Sequence, residues 1–80
     1  MDILFFGRLG DVATNISTLL PKDVGDTDGL TKWLSKGNAA LALELAKTGN
    51  RIAVNKSIVT ENTALSNNDE VAYMSPLSGG

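Results

Sequence analysis

The chain ends in Ser78-Gly79-Gly80, and the group there best suited to chemistry is the backbone carboxyl of Gly80. Two glycines in succession carry no Cβ, so such an ending adopts dihedrals closed to other residues and threads a channel too narrow for a side chain. At a glycine usage of about 7% a terminal pair arises by chance in roughly 0.5% of chains, which favours a working group. The competing accounts are a frayed end and an expression remnant. A free carboxyl with a reference pKa near 3.5 is ionised at neutral pH and a poor acceptor for nucleophiles. Activation as an adenylate makes the carbonyl carbon electrophilic, and a sulfur or amine nucleophile then displaces AMP. The ATP for that step belongs to an activating partner enzyme, and the chain itself binds no cofactor in this reading. From Ser75 to Gly80 an extended segment spans about 20 Å at 3.3–3.6 Å per residue, enough to reach a buried site while the folded part docks outside.

Little else in the 80 residues competes. There is no cysteine and no histidine, which removes disulfides, thiolate nucleophiles, the usual zinc sites and imidazole acid–base chemistry. Asp69-Glu70 follows Asn67-Asn68 and reads as a solvated turn rather than an acid–base pair. Asp23, Asp26 and Asp28 lack the twelve-residue calcium loop, so no metal site is expected. Gly7-Arg8-Leu9-Gly10 has no following Gly-Lys-Ser/Thr and is not a phosphate loop. Trp33 and Tyr73 read as core residues. With a net charge of −2 and no Lys/Arg cluster, nucleic acid is not an expected partner. The longest uninterrupted apolar run, Ala39 to Leu43, is too short to span a bilayer, and the first residues lack a basic secretory stretch. A soluble, cytoplasmic chain with no membrane partner is expected.

The elements that must position the ending follow from period and punctuation. Asp2 to Arg8, with Ile3, Leu4, Phe5 and Phe6, predicts a first strand. A turn around Gly10-Asp11 then leads to a second strand over Asn15 to Leu20, hairpinned to the first and stopped by Pro21. Thr27 or Asp28 caps a helix with Leu30, Trp33 and Leu34 on one stripe, and Gly37-Asn38 separates it from a second helical run, Ala39 to Lys47. Arg51 to Val54 predicts a strand, Asn55-Lys56 a turn, and Ile58-Val59 a short strand. Leu65 is a lone buried residue in a polar stretch, and Glu70 to Met74 is the last strand, beside the first at the centre and ended by Pro76. Strands flanking a helical middle argue an α+β fold, a mixed sheet with helices covering one face. The two-residue period puts Ile3, Phe5, Val71 and Tyr73 under the helices and Leu4, Phe6, Ala72 and Met74 on the opposite face. That uncovered apolar face predicts a partner; burial by loops or by self-association is the other reading.

Three stretches carry a family resemblance: Ile3-Leu4-Phe5-Phe6-Gly7-Arg8-Leu9; Ala53-Val54-Asn55 with Val59; and Asp69 through Met74 to Ser75-Pro76-Leu77-Ser78-Gly79-Gly80. Together, over nearly the whole chain, they resemble the small, sulfur-carrier subunits of molybdopterin synthase, the MoaD family, within the MoaD/ThiS ubiquitin-like carriers. The resemblance implies a β-grasp domain over residues 1–76 and a flexible tail over 77–80. It implies adenylation of Gly80 by a MoeB-like E1 adenylyltransferase, conversion to a thiocarboxylate, and insertion of Leu77, Ser78, Gly79 and Gly80 into a MoaE-like large subunit. There the sulfur converts cyclic pyranopterin monophosphate to molybdopterin, in a complex of two small subunits flanking two large ones. By position, Phe6 and Met74, with Leu4 and Pro76, meet the partner. Carriers for thiamine or tRNA thiolation and ubiquitin-like modifiers share the ending. The chain departs from the family pattern in Asn67-Asn68-Asp69 for Asp-Gly-Asp, Ser75-Pro76 for Pro-Pro, and Met74 for an aromatic. Because Asn tolerates left-handed geometry, the turn is expected to form.

Overall fold

The structure, a computed structural model, describes residues 1–76; the tail proposed at Leu77, Ser78, Gly79 and Gly80 lies outside the described residues. Five strands form one sheet: β1 (Asp2–Phe6), β2 (Ile16–Ser17), β3 (Arg51–Val54), β4 (Ser57–Val59) and β5 (Glu70–Met74), in the order β2-β1-β5-β3-β4. The last strand is central, parallel to β1 over all five residues and antiparallel to β3. Three helices, α1 (Leu9–Val12), α2 (Thr27–Gly37) and α3 (Ala39–Leu45), supply Leu9, Leu30, Leu34 and Leu41 to a core shared with Ile3, Phe5, Val71 and Tyr73 of the sheet. The helices therefore cover one face, and the predicted division of strand residues between faces holds. Phe5 and Tyr73 stack with ring centroids 5.8 Å apart, and Leu65 closes the cluster.

Four local expectations are corrected. The turn around Gly10-Asp11 is a single helical turn, α1, because Leu9 is fully buried and pulls the chain back over the sheet; burying a leucine contributes about 2 kcal/mol. The second strand is only two residues long. Met1 exchanges hydrogen bonds with Thr18 (2.8 and 2.9 Å), after which β1 offers no further partner, and the Leu20 N–H turns instead to Asn67 Oδ1 at 2.7 Å. The cap of α2 is Asp26, whose carboxylate accepts from the Gly29 N–H at 2.8 Å; Thr27 is already inside the helix, buried, and bonded to Asn62. Trp33 is not a core residue but 40% exposed, since Leu30 and Leu34 fill the buried stripe of α2.

Other junctions follow the expected logic. Asn38 ends α2 and caps α3, accepting from the Leu41 N–H at 3.0 Å while its Nδ2 donates to the Val12 carbonyl at 2.8 Å. Asn55 (φ +50°) and Lys56 (φ +69°) make the two-residue turn between β3 and β4, the left-handed pair that a tight hairpin requires. The Ser66–Asp69 turn forms without left-handed residues: the Asp69 N–H donates to the Ser66 carbonyl (3.2 Å), and its carboxylate accepts from the Ser66 N–H (2.7 Å). Among the described residues no helix is long and apolar enough to cross a membrane.

Candidate functional site

Parallel pairing of β1 and β5 places Phe6 beside Met74, so the two strands finish together and the route to the C-terminus leaves from the end of β1. Ser75 continues the ladder for one residue, its N–H donating to the Phe6 carbonyl at 3.4 Å. Its hydroxyl accepts the Arg8 N–H at 2.9 Å and lies 3.5 Å from the Phe6 carbonyl. Gly7 makes this possible: at φ +67° it turns the chain sharply, and a Cβ there would collide with Ser75 Oγ. On the other side Gly49, at φ +91°, lies under Pro76, where an added Cβ would sit 3.1 Å from Pro76 Cγ. Two left-handed glycines from separate loops thus hold the last described residues.

The face away from the helices joins this root. Register aligns Leu4, Ala72, Ala53 and Ile58 in one row across β1, β5, β3 and β4, and Phe6, Met74 and Arg51 in the next. Phe6 is 50% and Ile58 54% exposed, Leu4 and Met74 are partly buried, and Ala72 and Ala53 are small and buried among them. Phe6, Met74, Ser75 and Pro76, with Gly7, Arg8 and Asp11, line an open groove of about 620 Å³. Of the predicted contact residues, Phe6, Met74, Leu4 and Pro76 are brought onto one continuous surface; Leu77, Ser78, Gly79 and Gly80 lie outside the described residues. Ile58 and Arg51 were missed. Counting alternate positions back from Ile58 through the Asn55-Lys56 turn would have placed both on this face.

Charge at the root is held rather than free. Glu44 Oε1 accepts from Arg8 Nε at 3.3 Å and its other oxygen takes Lys47 Nζ. The Lys47 ammonium, then the Arg8 guanidinium, hold the Glu44 carboxyl below the usual carboxylate range. Among the described residues no three acidic side chains gather as a metal site. The buried polar groups are structural: Thr31 donates to the Thr27 carbonyl, so its 2.9 Å contact with Tyr73 is a bond donated by the phenol. Burial pushes the Tyr73 phenol up to about 12, partly offset by Thr31. No described side chain pairs with another as nucleophile and base; what the geometry provides is a docking face and an anchored exit for the chain end.

Comparison with known proteins agrees. The ThiS family model matches residues 3–80. The chain is 25% identical over 80 residues to the molybdopterin synthase sulfur carrier subunit of Haemophilus influenzae, covering 100% of this chain and 99% of that protein. SAMP1 from Haloferax volcanii superposes with a TM-score of 0.73 at 21% identity, covering 99% of this chain and 97% of the other. A chain from the complex of subunits 1 and 2 of the molybdopterin-converting factor of Helicobacter pylori gives 0.66 at 21% identity, covering 99% and 96%. The mixed sheet with its helices on one face is the β-grasp, ubiquitin-like α+β fold. With a family model running from the first strand through the Gly-Gly ending, the chain belongs to the ThiS family of sulfur-carrier proteins.

Proposed function

We propose that the protein is the sulfur carrier of molybdenum cofactor synthesis and that Gly80 is its reactive residue. The observation that carries this reading is the extent of the family match, which runs to residue 80 and includes Gly79-Gly80. Support for the molybdopterin branch, over thiamine or tRNA thiolation or protein modification, is the full-length similarity to a molybdopterin synthase sulfur carrier subunit. In this mechanism a MoeB-like E1 adenylyltransferase joins the Gly80 carboxylate to the α-phosphate of ATP, releasing pyrophosphate. A sulfide-equivalent nucleophile then attacks the acyl carbon and AMP leaves, giving the thiocarboxylate. The face bearing Leu4, Phe6, Met74 and Pro76 docks on a MoaE-like large subunit while residues 77–80 enter its active site. There the sulfur passes to cyclic pyranopterin monophosphate. The carrier contributes the acyl group, the approach free of side chains and the docking face; the catalysts are its partners.

The test is mass spectrometry of the intact protein after incubation with a MoeB-like enzyme, ATP and a sulfur donor. The C-terminus should gain the mass difference of sulfur for oxygen, and the product should yield molybdopterin with a MoaE-like subunit. Absence of the gain, with function kept after deletion of Gly79-Gly80, rejects the carrier; thiocarboxylate that serves only thiamine or tRNA thiolation rejects the branch. Stable adducts on cellular lysines would make it a modifier.

A further inference from the structure

We infer that Ser75 is a positioning residue, its side chain latching the start of the C-terminal segment to the β1–α1 turn so that the chain leaves β5 in one direction. The inference rests on the carrier reading for its consequence, but its geometry stands alone. Beyond Met74 the ladder is thin: the Ser75 N–H reaches the Phe6 carbonyl only at 3.4 Å, and Pro76 has no N–H to donate. The well-formed bond at this point is from the Arg8 N–H to Ser75 Oγ, 2.9 Å. That donor is aimed by Gly7 at φ +67°, and the hydroxyl occupies the space that a Cβ at residue 7 would fill. Pro76 further confines Ser75 to extended backbone. The Ser75 hydroxyl is therefore the last side-chain tether before residues 77–80. Those four residues reach about 13–14 Å past Pro76, so a small change of angle at the root displaces the terminal carboxyl by several ångströms.

If the domain docks first and the end is inserted second, loosening the latch lowers the fraction of docked complexes with the end inserted, and so kcat, while KM stays near the docking constant. Ser75→Ala should lower kcat for thiocarboxylate formation by a MoeB-like enzyme about fivefold, the factor one neutral hydrogen bond represents, with KM unchanged. Ser75→Thr, which keeps the hydroxyl, should restore it. In the free full-length proteins the Arg8 amide should exchange faster with solvent in Ser75→Ala, and the heteronuclear NOE of Leu77 and Ser78 should fall, both recovering in Ser75→Thr. Equal NOE and exchange in all three proteins overturn the latch, and so does a loss confined to KM, which assigns Ser75 to docking. Failure of the unmodified chain to accept sulfur rejects the carrier reading instead, and the NMR measurements still decide the latch.

Discussion

Gly7 and Ser75, 68 positions apart in sequence, share one volume: Gly7 lacks a Cβ where the Ser75 hydroxyl sits, and the turn that Gly7 makes at φ +67° presents the Arg8 N–H to that hydroxyl. The start of the chain thereby fixes the point from which its end departs.

Gly7→Ala should therefore cost more than its backbone strain. An alanine in the left-handed region loses about 1–2 kcal/mol, and the collision with Ser75 Oγ adds to it. In a Ser75→Ala background the collision disappears, so the same substitution should cost only the strain. A double-mutant cycle from urea unfolding measures the coupling, expected at about 1 kcal/mol; additivity would show that the two residues do not share space.

The docking face should separate from the core by mutation. Phe6 is half exposed, so Phe6→Asp should change folding stability by no more than about 0.5 kcal/mol. Its affinity for a MoaE-like large subunit, by isothermal titration calorimetry, should drop by about 2 kcal/mol, roughly 30-fold. Ile3→Ala, on the buried face of the same strand, should instead lose about 2–4 kcal/mol of folding stability. Unchanged affinity of both Phe6→Asp and Met74→Asp would mean that the partner uses another surface.

Stability should fall at both extremes of pH for nameable reasons. Asp69 is held below its ordinary 3.8 by the Asn55 amide and the Ser66 N–H, Asp26 by the Gly29 N–H and Asn62, and Glu44 below 4.5 by Lys47. Folded values depressed below unfolded ones give stabilisation that is complete above about pH 4–5 and lost as pH falls through the folded values. Tyr73 is the opposite case. Its phenol is raised to about 12, so the contribution is complete below about pH 10 and lost as pH rises through 12. Urea midpoints across pH should trace both limbs, with Asp69→Asn flattening the acid limb and Tyr73→Phe the alkaline one.

Short-range physics made much of this protein legible in sequence. Alternation in Ile3–Phe6 and Val71–Met74 assigned both faces of the central strands, Gly37-Asn38 marked the break between α2 and α3, and the composition without cysteine or histidine drew attention to Gly80. These depend on neighbours within a few residues, where residue type decides. The rest needed the tertiary structure. Leu9 became helical because a core built from distant segments buried it, and Trp33 was left outside because Leu30 and Leu34 had filled that stripe. Asp26 took the cap from Thr27 because Asn62 and Thr63, 35 and 36 residues beyond Thr27, bond to the threonine hydroxyl. The latch of Ser75 on the turn at Gly7 and Arg8 exists only because β1 and β5 pair in parallel, a contact between chain ends that no local pattern encodes. The sequence by itself determined which atoms could carry the chemistry; the fold decided where, and in which direction, the chain that bears them leaves the domain.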